Sequence, residues 1–206
     1  MKKNEIFGLI LTIGVLLGLS RCQQAEKVQE VELKEQWQLL GYQSLEEYGK
    51  HLVTVGACHD CHTPKKIGPN GLEFDWDLAL SGHPSTLPYP EVDRMNVEQN
   101  GLVTTNFLTS WVGPWGISFA GNLTSDDTGI GTWTEEQFFT ALREGKFKGL
   151  KNARPLLPPM PWEMYKDMTD QELKAIYAYL KSTKPISNIV PSPIPPVLAS
   201  AQSTTQ

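Results

Sequence analysis

Apolar residues recur at helical spacing in three stretches, each opened by a hydroxyl residue with an acid or amide three positions on. Leu45, Tyr48, Leu52 and Val55 follow Ser44 and Glu47; Phe138, Ala141 and Leu142 follow Thr134 and Gln137; Leu173, Ile176, Tyr177 and Leu180 follow Thr169 and Glu172. Apolar positions three and four apart share one helix face, and S/T-x-x-E/Q is the capping box that satisfies two orphan backbone N–H groups. The pattern predicts three amphipathic helices, the second stopped by Gly145. No stretch sustains the alternation of a half-buried strand, so the fold class expected is all-α with much loop.

The ends depart from this pattern. Lys2 and Lys3 precede an apolar run from Ile6 to Leu19, then Leu19-Ser20-Arg21-Cys22, which reads as an export signal over 1–21. The run is short for a membrane span. A Leu three residues before a Cys resembles the lipobox of bacterial lipoproteins, which makes Cys22 the candidate lipidated residue, although Arg21 stands where that pattern favours a small one. An uncleaved anchor, or a signal cleaved elsewhere, remains open. Each alternative puts the body of the chain outside the cytoplasm, and with lipidation on the periplasmic side of a bacterial membrane. Residues 22–43 are rich in Gln, Glu and Lys and read as a tether; 185–206, with Pro185, Pro191, Pro193, Pro195 and Pro196, read as a disordered tail. Residues 44–184 have the size of one domain.

The net charge of the chain is −5, and −7 once the segment before Cys22 is removed. An acidic surface repels nucleic acid and favours partners that carry a basic docking patch.

Two of the three cysteines lie in Cys58-His59-Asp60-Cys61-His62, where the first predicted helix ends. C-x-x-C-H is the attachment sequence for a c-type haem: two thiols three apart reach the two porphyrin vinyl groups as thioethers, and the next residue offers an imidazole to the iron. Cys58 and Cys61 are the candidate anchors of one covalently attached haem c, and His62 its candidate axial ligand. A thioredoxin-like dithiol belongs in a β-α-β setting, whereas here a Pro/Gly loop follows. A zinc site needs four ligands, and only Cys22, His51 and His83 lie elsewhere.

The sixth iron position separates an electron carrier from a gas-binding or catalytic haem. Met168 has a sufficient reading as a staple onto Leu173, and Met95 lies in a polar stretch. Met160 stands in Leu156-Leu157-Pro158-Pro159-Met160-Pro161-Trp162, where prolines fix the backbone and remove donors, so a thioether can be held toward a buried iron. Met160 is the candidate second ligand, with Met164 in reserve and His83 a weaker alternative. Asp126-Asp127-Thr128-Gly129 lacks the spaced ligands of a calcium loop and reads as a turn. Residues 72–132 show no clear element yet include Trp111, Trp115 and Phe119; they are expected to form an irregular insertion that wraps the haem.

Helix, C-x-x-C-H, a loop with Gly68-Pro69-Asn70, a Met-Pro loop and a last aromatic-rich helix resemble a class I cytochrome c domain. Tyr48-Gly49-Lys50-His51-Leu52-Val53, Cys61-His62-Thr63-Pro64, Gly121-Asn122-Leu123-Thr124, Thr128-Gly129-Ile130-Gly131-Thr132-Trp133-Thr134, Ala141-Leu142-Arg143-Glu144-Gly145, Met160-Pro161-Trp162 and Ala175-Ile176-Tyr177-Ala178-Tyr179-Leu180 resemble domains in the cytochrome subunits of membrane-bound alcohol and gluconate dehydrogenases. Those subunits carry several C-x-x-C-H motifs; this chain has one. The resemblance implies a class I fold and a monohaem electron-transfer protein without substrate chemistry of its own. It also implies that the Pro69 carbonyl accepts the His62 Nδ1 proton, with Pro64 a nearer rival, and that Asn122, Trp133 and Arg143 lie near the haem propionates.

Overall fold

Two of the three predicted helix starts carry complete capping boxes in the computed structural model, which describes residues 36–197. Helix α5 (Glu135–Glu144) is capped by Thr134 and Gln137, and α7 (Asp170–Ser182) by Thr169 and Glu172, each with reciprocal side-chain and backbone bonds. Gly145 closes α5 at φ 62°, a left-handed conformation that glycine adopts without steric cost. Helix α2 (Leu45–Val55) begins directly after Ser44.

Residues 36–44 belong to the first of two units and hold a short helix α1 (Gln36–Leu39) followed by a turn in which Gly41 N donates to Gln38 O at 2.8 Å. The expected export signal, Cys22 and most of the tether lie outside the described residues. Among the described residues, no helix is long and apolar enough to cross a membrane.

The second unit begins at Leu45. Its core is built where α2 crosses α7: Leu52 and Val53 pack with Leu173, Ala175, Ile176 and Leu180, joined by Phe138 and Leu142 from α5 and by Leu80 and Ile130. Val55, expected on the buried stripe, is exposed. The crossing is close because of Gly49, where a Cβ would stand 1.9 Å from Ala175 O and 2.8 Å from Tyr179 Cβ.

The expectation of an all-α fold is corrected by two antiparallel sheets. After α3 (Cys58–His62), β1 (Lys65–Gly68) and β2 (Gly71–Phe74) form a hairpin in the register Lys65↔Phe74 to Gly68↔Gly71. Helix α4 (Arg94–Asn100) leads to the second sheet, ordered β3 (Val103–Thr104), β4 (Ser110–Gly113), β5 (Gly116–Phe119). These strands escape a search for alternation for a physical reason. β4 is buried at every position and β5 nearly so, whereas β2 is exposed at three of its four, so none shows a contrast with period two. The expected irregular insertion at 72–132 is therefore an ordered subdomain of hairpin strand, helix and sheet. One short helix, α6 (Trp162–Tyr165), follows the Met160 loop before α7.

The segment expected to be a disordered tail is laid against the domain as far as residue 197. Asn188 is buried, and its Nδ2 donates to Ser81 O at 2.7 Å and His83 O at 2.9 Å while its Oδ1 accepts from Ser85 N at 3.1 Å. Ile194 exchanges backbone hydrogen bonds with Ile117 of β5 at 2.8 and 3.0 Å. Glu98, also buried, takes Arg94 and the Val197 N–H. Buried polar groups need partners, and this segment supplies them. Proline content alone does not specify disorder when such partners wait on the domain.

The Gly49 contact generates a prediction. Gly49→Ala forces α2 away from α7 at the centre of the core and is expected to cost about 2 kcal/mol or more. Thermal unfolding followed by circular dichroism should show a fall of roughly 5 °C or more; an unchanged midpoint would mean the helices do not cross there.

Candidate haem-attachment site

Helix α2 ends at Val55, and Ala57 takes a left-handed conformation at φ 57° that starts the separate one-turn helix α3. Within α3, residues 58, 61 and 62 stand at i, i+3 and i+4, which places both thiols and the imidazole on one face. Cys58 and Cys61 are free thiols, half-buried. Burial pushes the Cys58 thiol up to about 11 and raises Cys61 as well. Catalytic dithiols have lowered values, so these thiols are poor candidates for disulfide exchange. Among the described residues, no group of three or more His, Cys, Asp or Glu side chains could hold a metal ion.

His62 is 9% exposed, and burial holds its imidazole below the usual histidine range, in the neutral form that can donate a lone pair. Its Nδ1 donates to the carbonyl of Gly121 at 2.7 Å. With Nδ1 carrying the proton, Nε2 keeps the free lone pair that a metal ligand needs. Here the expectation from the resemblance is corrected: neither Pro69 nor Pro64 is the acceptor. Pro69 sits exposed at the turn of the β1–β2 hairpin, and the Pro64 carbonyl takes the Asp75 N–H.

The Gly121 carbonyl reaches His62 because two distant segments are laced together. Gly82 N donates to His62 O at 2.8 Å, His83 N to Ala120 O at 2.9 Å, and Leu123 N to Leu80 O at 2.8 Å. Gly82 stands at φ 77°, and a Cβ there would lie 2.5 Å from Ala120 O. Asn122 shapes the turn after Gly121: its Oδ1 accepts from Thr124 N at 2.9 Å and Thr124 Oγ1 at 2.8 Å. Its Nδ2 donates to Thr128 Oγ1 and Ile186 O, so the amide donors expected for a propionate are engaged within the protein. Asp126 accepts from Thr128 N and Oγ1, the arrangement of a turn rather than of a calcium loop.

The remaining candidates are distributed unevenly. Trp133 packs partly buried against the core, and its carbonyl accepts from Tyr177 Oη at 2.7 Å. Arg143 spans from α5 to the start of α7, donating to Lys166 O and, at 2.6 Å, to Asp170 Oδ1. That places its guanidinium on a helix-to-helix tie. His83 is fully buried with both ring nitrogens used, Nδ1 on Thr109 Oγ1 at 2.9 Å and Nε2 on Leu87 O at 3.1 Å, which leaves no lone pair for iron.

Of the methionines, Met95 and Met164 are exposed, and Gln99 lies against the Met95 sulfur. Met168 and Met160 pack on the core cluster. Met160 and Cys58 belong to the same cluster. The Tyr165 hydroxyl donates to Gly56 O at 2.7 Å, tying α6 to the link between α2 and α3; burial lifts its pKa to about 12, so it stays a donor. Two thiols and a fixed imidazole on one helical face form the donor set that a covalently held haem requires.

The Gly121 carbonyl is the functional group that sequence reasoning missed. Its signal was present in Gly121-Asn122-Leu123-Thr124, where the side chain of Asn122 is conspicuous and the carbonyl before it is not.

No protein-family model matches the chain. Similarity to individual proteins is clear: 39% identity over 82 residues, 39% of this chain, to the fructose dehydrogenase cytochrome subunit of Gluconobacter japonicus, and 39% over 67 residues, 32% of this chain, to the gluconate 2-dehydrogenase cytochrome c subunit of Pantoea cypripedii. A subunit of the nicotinate dehydrogenase of Pseudomonas putida is 35% identical over 80 residues, 38% of this chain. The chain spans only 16%, 14% and 6% of the lengths of these three relatives, in that order. Over the matched third and more, the chain resembles the cytochrome c domains of dehydrogenase cytochrome subunits.

Proposed function

We propose that the chain is a single-haem, one-electron carrier outside the cytoplasm, joined to one haem through Cys58 and Cys61 and ligating its iron with His62 and Met160. The observation that carries this reading is the His62 Nδ1 bond to Gly121 O at 2.7 Å, which fixes a buried neutral imidazole with Nε2 free to ligate. Haem, when bound, supplies the Fe(III)/Fe(II) couple. The chain's own residues orient and shield it: Cys58 and Cys61 hold its edge, Met160 offers a soft thioether that favours the reduced iron, and the indole of Trp133 remains a candidate donor to a propionate. The acidic chain suits a redox partner with a basic docking patch, and Cys22 a lipid anchor on the periplasmic side.

A second reading, a cytochrome subunit working with a dehydrogenase, is favoured by what the relatives are. The two readings share the same iron chemistry and differ in partner. His83, the weaker candidate for the second ligand, spends both ring nitrogens on structure, which favours Met160.

Three outcomes are expected. The mature protein carries one haem that survives denaturation, and the double variant Cys58→Ala, Cys61→Ala carries none; mass spectrometry after denaturation checks this. The oxidised protein shows a methionine-to-iron charge-transfer band that Met160→Ala abolishes; a high-spin wild type would instead indicate an open sixth position, and retention of the band in the variant would point to Met164. His83→Gln loses about 1–3 kcal/mol of stability through its orphaned partners yet keeps the band, which denaturant titration and the optical spectrum read separately.

A further inference from the structure

We propose that Ser118 is a positioning residue for the Met160 thioether, acting through the backbone of the loop that carries it. The inference rests on the reading of Met160 as an iron ligand. Ser118 lies in β5, 5% exposed, and its Oγ donates to Pro158 O at 2.6 Å. The same Oγ accepts from Trp115 Nε1 at 3.0 Å. Two hydrogen bonds in series therefore run from the β4–β5 turn to a carbonyl two residues before Met160. Polarised in this way, each bond strengthens the other.

The loop has little else to hold it. Pro158, Pro159 and Pro161 have no N–H to donate, and Met160 N bonds only within the loop, to Leu157 O at 3.3 Å. Among the described residues, the Ser118 bond is the only hydrogen bond that leaves segment 157–160. The anchor itself is firm. The Trp115 ring lies against Gly113, where a Cβ would come within 2.6 Å of the ring, and β5 is paired with β4 on one side and bridged to Ile194 on the other. A thioether binds ferric iron weakly, so the stiffness of its loop decides how readily an added ligand displaces it. The ordered insertion between the two iron ligands thus acts on both: Gly121 orients His62, and Ser118 restrains Met160.

The test uses the oxidised holoprotein, with imidazole as the competing ligand and loss of the methionine-to-iron band as the readout. Ser118→Ala is expected to shift the imidazole midpoint about tenfold lower, the loss of one part-buried hydrogen bond. Trp115→Phe, which removes only the supporting N–H, should shift it roughly threefold. Thr169→Ala, a cap removal at α7, serves as control: it lowers the unfolding temperature and leaves the imidazole midpoint in place. A wild-type midpoint in both Ser118→Ala and Trp115→Phe overturns the proposal, as does an equal shift in Thr169→Ala, which would reduce the effect to general loosening. Absence of the band from the wild type overturns the His/Met reading itself, and is seen before any variant is made.

Discussion

The hydrogen bond from His62 Nδ1 to the Gly121 carbonyl joins residues 59 apart in sequence, and the backbone of residues 80–83 laces the two ends together. An imidazole on a one-turn helix has a free rotation that a metal site must remove. A side-chain acceptor would bring its own rotamers; a backbone carbonyl held in a turn brings none. The turn is held by Asn122, the approach is permitted by Gly82, and the segments on either side are tied by His83 N and Leu123 N. His83 stands next to this lacing as a structural histidine, spending both nitrogens on keeping its loop in place.

The candidate attachment site and the core are not separate layers. Cys58, Met160 and Tyr165 all pack on the cluster formed by α2, α5 and α7. A group joined at Cys58 and Cys61 would extend that cluster rather than occupy a remote cleft, so its uptake and the stability of the helices are linked.

Where the local signal was self-contained, the sequence was readable: Thr134 with Gln137, Thr169 with Glu172, and Gly145 each act on neighbours within a turn, and the C-x-x-C-H spacing maps directly onto one helical face. Illegible features depended on distant partners. The strands of the second sheet are short and almost wholly buried, so their hydrophobicity carries no period; the acceptor for His62 is a backbone atom that any residue could have supplied. Asn188 illustrates the same limit, since its worth lies in Ser81, His83 and Ser85, about a hundred positions earlier. Arg143, expected near a propionate, ties α5 to the start of α7, a contact that no local pattern announces.

The chain's C-terminal segment gives the second sheet its boundary. An outermost strand with unpaired N–H and C=O groups is a template on which another chain can add itself. Ile194 pairs with Ile117 on the open side of β5, and Pro193 and Pro195 flank it with no N–H of their own. The segment that covers the edge therefore cannot propagate it. Wherever like copies crowd together, such a stop converts an aggregation-prone border into an inert one.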